Sequence, residues 1–109
     1  NGYQLDDSTQ AILSLKPFSD KFKCFGWDAV DIDGHNYKEI NAALEESRKP
    51  RSKPFAIVAH TVKGKGVSFM ENNNNFHGVA PNDEECTRAL KELDEAIEKL
   101  KKKIPAGVK

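Results

Sequence analysis

The sequence lacks an excess of either charge. Lysine and arginine together number 17, and aspartate and glutamate also number 17, so the formal net charge is zero. Domains that bind nucleic acid usually carry a basic excess, which is missing here. The sequence also has no apolar run close to the roughly 20 residues that cross a bilayer. We therefore expect a protein that binds neither nucleic acid nor membranes.

Cysteine and apolar residues are also scarce. The two cysteines, Cys24 and Cys86, are far apart in the sequence and have no metal-ligand spacing. We interpret them as reduced thiols of a cytoplasmic protein. Hydrophobic residues make up 38% of the 109 residues, which is low for a domain that has a full core of its own. With only 109 residues, the chain holds one domain at most.

The first half of the sequence predicts a helix and then a strand. Residues 1–10 are polar and typical of turns. In the stretch "LKPFSDKFKCFGW", Pro17 suits the first turn of a helix and Gly26 suits its end. One face of this helix would carry three aromatic residues, Phe18, Phe22 and Phe25. The following "WDAVDID" alternates apolar and polar residues, which predicts a short strand.

The second half predicts two more helices and a second strand. Asn36 followed by Glu39 fits a capping box, and the helix after it has an apolar stripe of Tyr37, Ile40, Ala43 and Leu44. The run "FAIVAHTV" is typical of a parallel strand that is buried on both faces. Asn82 and Glu85 fit a second capping box, before a helix that reaches Leu100 and ends at "IPAGVK".

This order of elements predicts an α/β fold. Strands that alternate with helices indicate a parallel sheet with helices on both faces. Two strands alone make a marginal sheet. We therefore expect the chain to be part of a larger α/β domain.

The stretch "HTVKGKGVSFMENNNNFHG" leaves the carboxyl end of the second predicted strand, where open α/β sheets bind ligands. Its glycines allow either positive φ or close approach of a ligand. Lys63 and Lys65 supply charge for an anion such as phosphate, and His77 can donate a hydrogen bond or transfer a proton. Lysine alternating with glycine is also common in surface loops, and a loop histidine is often only solvated.

Several segments, taken in order, resemble the transketolase family. They are "NGYQLDDST", "LKPFSDKFKCFGWDAVDIDGHNYKEINAALEES", "KPFAIVAHTVKGKGVSFMEN" and "NFHGVAPNDEE". The most specific part is "KGKGVSFMEN" followed by "HGVAP". The resemblance covers essentially the whole chain. It is to the thiamine pyrophosphate-binding half, in the split form whose amino-terminal half is a separate polypeptide.

The resemblance implies a cofactor, a cation and roles for individual residues. Thiamine pyrophosphate would bind through Mg²⁺ or Ca²⁺. Asn1 resembles the asparagine whose side-chain oxygen is a cation ligand, and Tyr3 lies where the family uses a backbone carbonyl, both suitable oxygen donors. Lys63 resembles the lysine near the pyrophosphate and the substrate channel. His77 resembles the histidine that contacts the pyrophosphate and the donor ketose, and we take it as the candidate catalytic residue.

The resemblance also implies a reaction and partners. A two-carbon ketol unit would pass from a ketose phosphate to an aldose phosphate, in the pentose phosphate pathway. The family's Gly-Asp-Gly cation motif is absent, and Asp7 replaces a usual glycine. We therefore expect residues 1–109 to be the carboxyl-terminal portion of the thiamine pyrophosphate (PP-type) domain, inactive alone. The partners would be the rest of that domain and a pyrimidine-domain subunit or carboxyl-terminal half, as a dimer of such pairs.

Three alternatives remain open from the sequence. One is another thiamine enzyme, such as deoxyxylulose-phosphate synthase, which has a similar lysine-glycine loop. Another is a non-catalytic fragment or binding module that retains the fold. The last is a phosphate-binding module of unrelated function, which depends on "KGKG" alone.

Overall fold

The computed structural model describes residues 1–5 and 7–103. The chain divides into two compact units, of which the first comprises Asn1–Val62 and the second begins at Lys63. The elements of the first unit are β1 (Tyr3–Gln4), β2 (Asp7–Ser8), α1 (Thr9–Leu13), α2 (Phe18–Cys24), β3 (Asp28–Asp33), α3 (Tyr37–Ser47) and β4 (Phe55–His60). Those of the second are a 3₁₀ helix (Asn74–His77) and α4 (Asp83–Lys101).

The centre of the first unit is the parallel pair β3–β4. Their register runs from Asp28 opposite Phe55 to Asp33 opposite His60, and α3 forms the crossover between them. The Asp31 side chain accepts a hydrogen bond from Ser19 of α2, and its neighbours Val30 and Ile32, together with Asp31 itself, line a groove with α3. Because alternate strand residues face opposite sides, α2 and α3 cover opposite faces. The predicted α/β fold, with a parallel sheet and helices on both faces, is confirmed.

The core of each unit is small. The buried apolar side chains among the described residues are Ile32, Ala43, Ala56, Val67 and Ala89. The prediction that β4 is buried on both faces is wrong, since Ile57 and Val58 are only half-buried and Ala59 is exposed. The physical reason is the size of the sheet, because β3 and β4 each have one strand neighbour among the described residues.

The helix ends partly match the sequence prediction. α2 ends as expected, with the Gly26 N–H donating to the Lys23 carbonyl at 2.9 Å. Pro17 is the N-cap residue and lies before the first turn. Phe25 lies beyond the last helical residue and is 83% exposed, so it does not extend the predicted aromatic face. In α3, Ile40 and Ala43 face inward, but Tyr37 is 82% exposed and Leu44 is exposed, so the predicted stripe is narrower than expected.

The two predicted capping boxes differ. Asn82 and Glu85 form the reciprocal box at the start of α4, as expected. Asn36 instead accepts from the Lys38 N–H, and the Glu39 carboxylate accepts from the Asp33 N–H at 2.7 Å. The predicted Asn36–Glu39 box is therefore wrong in detail. The Glu39 carboxylate accepts from the last residue of β3, and the Asn36 N–H donates to the Asp33 carbonyl instead of to Glu39. The "IPAGVK" terminus lies outside the described residues.

The sequence prediction missed the order in residues 1–10. Tyr3 pairs with Ser8 in a short antiparallel hairpin, and α1 begins at Thr9. The Ser8 hydroxyl caps α1 by accepting from the Ala11 N–H at 3.2 Å. Over residues 1–5 and 7–103, no helix combines the length and the apolar character that a membrane span requires.

Candidate functional site

The predicted cation ligands Asn1 and Tyr3 lie in one turn. The side-chain oxygen of Asn1 accepts a hydrogen bond from the Tyr3 N–H at 3.0 Å. Between them, Gly2 has φ +78° and its carbonyl accepts from the Thr9 N–H at 2.8 Å. The turn is therefore fixed against the start of α1. The structure brings these two predicted residues together.

This turn forms one wall of a cleft of about 320 Å³, and the carboxyl end of β4 forms another. Ligands of open α/β sheets bind at the carboxyl ends of parallel strands. The polar residues that line the cleft are Asn1, Tyr3, Thr9, Lys16, His60 and Thr61. The cleft therefore lies where this fold class binds its ligands. Its lining includes the predicted cation ligands Asn1 and Tyr3 and one lysine, Lys16.

The donors in this turn suit a hard cation. An amide oxygen has two lone pairs, of which the Tyr3 N–H uses one at Asn1. Mg²⁺ and Ca²⁺ prefer amide, carbonyl and carboxylate oxygens, and take at least six ligands. The described residues contain no cluster of three or more histidine, cysteine, aspartate or glutamate side chains that could hold a metal. Asn1 and Tyr3 can therefore supply part of a coordination shell, which other ligands must complete.

A histidine–aspartate pair at the same end of the sheet was missed by the sequence analysis. His60 Nε2 lies 2.7 Å from Asp31 Oδ1, and the two side chains are 57% and 42% exposed. The hydrogen bond from the buried Ser19 side chain, followed by the one with His60, holds the pKa of Asp31 below its ordinary value. The strand register was the only available signal, because the two residues are 29 positions apart.

A second tie at this edge holds the chain as it leaves β4. The Val62 N–H donates to His35 Nε2 at 2.8 Å, and the Gly34 N–H donates to the His60 carbonyl at 2.8 Å. A Cβ on Gly34 would lie 2.6 Å from Thr61 Cγ2, so only glycine fits here without movement. Residues 60–62 are thus held on both sides of Thr61 by the segment that follows β3.

The lysine-glycine loop of the second unit is closed by its own backbone. The Asn72 N–H donates to the Lys63 carbonyl at 2.9 Å. Gly64 has φ +71°, and a Cβ there would lie 2.3 Å from the Met70 carbonyl oxygen. Gly66 has φ +100°. Of the two reasons that the sequence offered for these glycines, the positive φ is the one observed.

A carboxylate of α4 holds the middle of this loop. Glu92 accepts from the Ser68 N–H at 2.6 Å and from the Ser68 hydroxyl at 2.7 Å. The bond from the backbone N–H, with that from the hydroxyl, lowers the pKa of Glu92. The loop is therefore anchored to the helix that follows it.

The two lysines of the loop differ in whether they form an ion pair. Lys65 Nζ lies 3.4 Å from the Glu71 carboxylate, whereas Lys63 makes no ion pair with any residue in the described part of the chain. His77 ends the 3₁₀ helix, is exposed, and makes no hydrogen bond within the described ranges. Lys63 and His77 thus both lie in the second unit, with polar groups available to a ligand.

Comparison with known proteins gives one consistent family. The family described as "Transketolase, thiamine diphosphate binding domain" matches residues 1–108. The chain is 40% identical over 94 residues to a 6-deoxy-6-sulfo-D-fructose transketolase subunit of Clostridium sp. (strain MSTE9), covering 86% of this chain and 34% of that protein. It is 34% identical over 102 residues to an apulose-4-phosphate transketolase subunit of Phocaeicola vulgatus, covering 94% of this chain and 36% of that protein.

A solved structure shows the same relationship. The crystal structure of transketolase from Campylobacter jejuni superimposes with a TM-score of 0.75 at 28% identity, over 86% of this chain and 15% of that chain. The chain spans about a third of the length of the two subunits above.

Proposed function

We propose that this chain, which belongs to the transketolase family through its thiamine diphosphate-binding domain, forms part of an enzyme that transfers a two-carbon ketol unit from a ketose phosphate to an aldose phosphate. The observation that carries this proposal is the Asn1–Tyr3 turn, which lines a cleft at the carboxyl end of β4. Oxygen donors at this position suit a cation-bound diphosphate.

In this proposal, Asn1 and Tyr3 hold Mg²⁺ or Ca²⁺. The Asn1 side-chain oxygen and the Tyr3 backbone carbonyl supply two oxygen ligands, and the diphosphate and other groups supply the rest. Thiamine diphosphate, when bound, supplies the carbon–carbon bond chemistry. The residues of this chain bind and orient it.

Lys63 and His77 are proposed to act on the anionic groups and on the donor sugar. Lys63 is half-buried with no carboxylate partner in the part of the chain that is described, so its charge is available to a phosphate. His77 is exposed, and its imidazole can donate a hydrogen bond to a hydroxyl or transfer a proton near neutral pH. We assign His77 to the donor ketose.

The length comparison supports a proposal about the partners. The chain spans about a third of relatives that are themselves named subunits. We propose that residues 1–109 form the carboxyl-terminal portion of the PP-type domain, and that they act with the rest of that domain and with a pyrimidine-domain partner, as a dimer of such pairs. The exposed thiols of Cys24 and Cys86 fit a reducing compartment, so we place the protein in the cytoplasm.

A sulfonated ketose is a second candidate donor. The relative with 40% identity is named for a sulfo-sugar, and the one with 34% identity for a sugar phosphate. Both sugars carry an anionic group. Parallel assays with xylulose 5-phosphate and 6-deoxy-6-sulfofructose as donors, and an aldose phosphate as acceptor, distinguish them. Pyruvate decarboxylation would instead indicate the synthase alternative, and cofactor binding without turnover would indicate a binding module.

The reaction role of His77 is tested in the assembled enzyme with His77→Ala. We expect two-carbon transfer to slow by about 100-fold, with a much smaller change in the Kd of thiamine diphosphate. Asn75→Ala, at an exposed position in the same 3₁₀ helix, is the matched control and should keep wild-type kinetics. Unchanged kinetics in His77→Ala would remove this residue from the site.

The cation site is tested with Asn1→Ala. Loss of one oxygen ligand should weaken Mg²⁺-dependent cofactor binding by about 10-fold to 100-fold. The Kd of thiamine diphosphate is measured across a Mg²⁺ titration, with Gln4→Ala, at an exposed residue of β1, as control. A Mg²⁺ requirement identical to wild type would refute the metal assignment.

A further inference from the structure

We propose that the Thr61 hydroxyl donates a hydrogen bond to a phosphate oxygen of the ligand in the Asn1–Tyr3 cleft, and that Gly34 and His35 position it. This inference rests on the proposed function, because the phosphate belongs to a ligand of that site. It adds a binding residue, Thr61, and a positioning residue, His35, both in the first unit of the chain.

The backbone on both sides of Thr61 is fixed. The carbonyl before it, on His60, accepts from the Gly34 N–H at 2.8 Å. The amide after it, on Val62, donates to His35 Nε2 at 2.8 Å. His35 is itself held by its backbone N–H, which donates to Asp33 Oδ1 at 2.9 Å. A residue bracketed in this way presents its side chain in one place, which is what a binding group requires.

The Thr61 side chain is held by its methyl group. A Cβ on Gly34 would lie 2.6 Å from Thr61 Cγ2, so the methyl occupies the space that glycine leaves open. The hydroxyl makes no hydrogen bond with any residue in the ranges that the structure describes. Thr61 also lines the cleft that contains Asn1 and Tyr3. Its donor is therefore available to a ligand in that cleft.

The other groups of the cleft indicate an anionic ligand accompanied by a cation. Asn1 and Tyr3 offer oxygens to the cation. Lys16 lines the same cleft and makes no ion pair within the described part of the chain. A hydroxyl donor and an ammonium group near a cation site match phosphate oxygens, which accept strong charge-assisted hydrogen bonds. The phosphate belongs either to the cofactor diphosphate or to the sugar.

The test separates the hydroxyl from the methyl of Thr61 in the assembled enzyme. Thr61→Val removes the hydroxyl and keeps the methyl against Gly34, whereas Thr61→Ser does the reverse. We expect Thr61→Val to raise the Kd of thiamine diphosphate, at fixed Mg²⁺, by about 10-fold, and Thr61→Ser to raise it by less than about threefold. Thr61→Ala, which should raise the same Kd as much as Thr61→Val, provides a second variant if Thr61→Val does not fold.

The cofactor Kd and the KM for the ketose phosphate together show whether the phosphate belongs to the cofactor or to the sugar. A raised cofactor Kd with an unchanged KM for the ketose phosphate assigns the contact to the diphosphate. A raised KM with an unchanged cofactor Kd assigns it to the sugar phosphate. Wild-type values of both constants in Thr61→Val and Thr61→Ala would overturn the inference while leaving the proposed function in place. Failure of the wild-type enzyme to bind thiamine diphosphate would overturn both.

The positioning role of His35 has a separate readout. His35→Gln retains an acceptor at the position of Nε2, and His35→Leu does not. We expect His35→Leu to speed hydrogen exchange of the Val62 amide and to raise the same constant as Thr61→Val. His35→Gln should keep both properties close to wild type. Because the two residues would act as one unit, the double variant of His35→Leu and Thr61→Val should bind the ligand little more weakly than Thr61→Val alone. Additive losses of binding in the double variant, or wild-type binding by His35→Leu, would contradict this role.

Discussion

The two loops that carry the candidate site residues are held in different ways. At the edge of the sheet, residues 60–62 are tied by bonds between partners that are 27 and 29 positions apart. The Lys63–Asn72 loop is instead closed by local bonds, with its ends joined by the Asn72 N–H and the Lys63 carbonyl. The first loop therefore depends on the fold of the parallel strands, and the second depends mainly on its own sequence.

Each loop depends on one glycine that has no room for a side chain, Gly34 beside residues 60–62 and Gly64 within the Lys63–Asn72 loop, and the two differ in what limits them. At Gly34 an added Cβ meets first the Thr61 methyl, which is part of a side chain, at 2.6 Å, and then the His60 carbonyl oxygen at 3.0 Å. At Gly64 an added Cβ meets the backbone of Met70, and Gly64 itself also has a positive φ. A side chain can move more easily than a backbone, so the local loop should be the less tolerant of the two.

The largest effect should therefore come from Gly64→Ala. We expect it to lower the free energy of unfolding by about 3 kcal/mol, because strain at positive φ adds to the overlap with backbone. Gly34→Ala should cost about 1–2 kcal/mol, since the added methyl overlaps a side-chain methyl and would displace the Thr61 side chain from its wild-type position with little movement of the backbone. Urea unfolding followed by hydrogen exchange of amides in each loop measures both. An equal or larger loss at Gly34 would reverse the comparison. Gly78→Ala, where nothing lies within 4 Å of an added Cβ, is the control.

The next effect separates the two lysines of the local loop. Lys63→Met should weaken ketol transfer by about 10-fold, since its charge has no partner in the described part of the chain. Lys65→Met removes a surface ion pair with Glu71, and such pairs contribute little, so activity should stay near wild type. Steady-state kcat/KM distinguishes them. Equal losses would mean that both charges, not Lys63 alone, serve the ligand.

The smallest effect should come from the sheet edge, with Asp31→Asn. Hydrogen bonds from Ser19 and His60 lower the pKa of Asp31 below its ordinary value of 3.8. The carboxylate therefore stabilises the fold at pH above about 4, and this contribution is lost as the pH falls through the folded-state pKa. The wild-type protein should melt slightly higher than the variant at neutral pH, with the difference closing below about pH 4. Asp20→Asn, on the exposed side of α2, is the control. A pH-independent difference would point to packing instead.

The sequence was sufficient for the features that depend on neighbouring residues. The alternation of strands with helices, the Asn82–Glu85 capping box and the end of α2 at Gly26 follow from local pattern, and all three are confirmed. The helix α1 was missed because its five residues follow a polar segment with no apolar period. The burial of β4 was overestimated because an apolar run shows only which side chains a strand is able to bury. The strands and helices packed against β4 determine how much of each side chain is covered.

The candidate site divides in the same way. Asn1 and Tyr3 were selected by resemblance, and the structure adds that they share a turn beside the carboxyl end of β4. The Asp31–His60 pair and the Val62–His35 bond were not predictable, because each requires the register of the parallel strands and the crossover between them. Pairs of this kind are visible only after the fold is known.

The two-stranded sheet has a practical consequence for handling the protein. β3 and β4 each present one edge with no strand partner among the described residues, and Phe55–Val58 of β4 are uncharged. Open edges of this type are templates for pairing between chains. Expressed alone at high concentration, the chain should self-associate edge to edge and precipitate, whereas co-expression with a polypeptide that supplies a neighbouring strand should keep it dispersed.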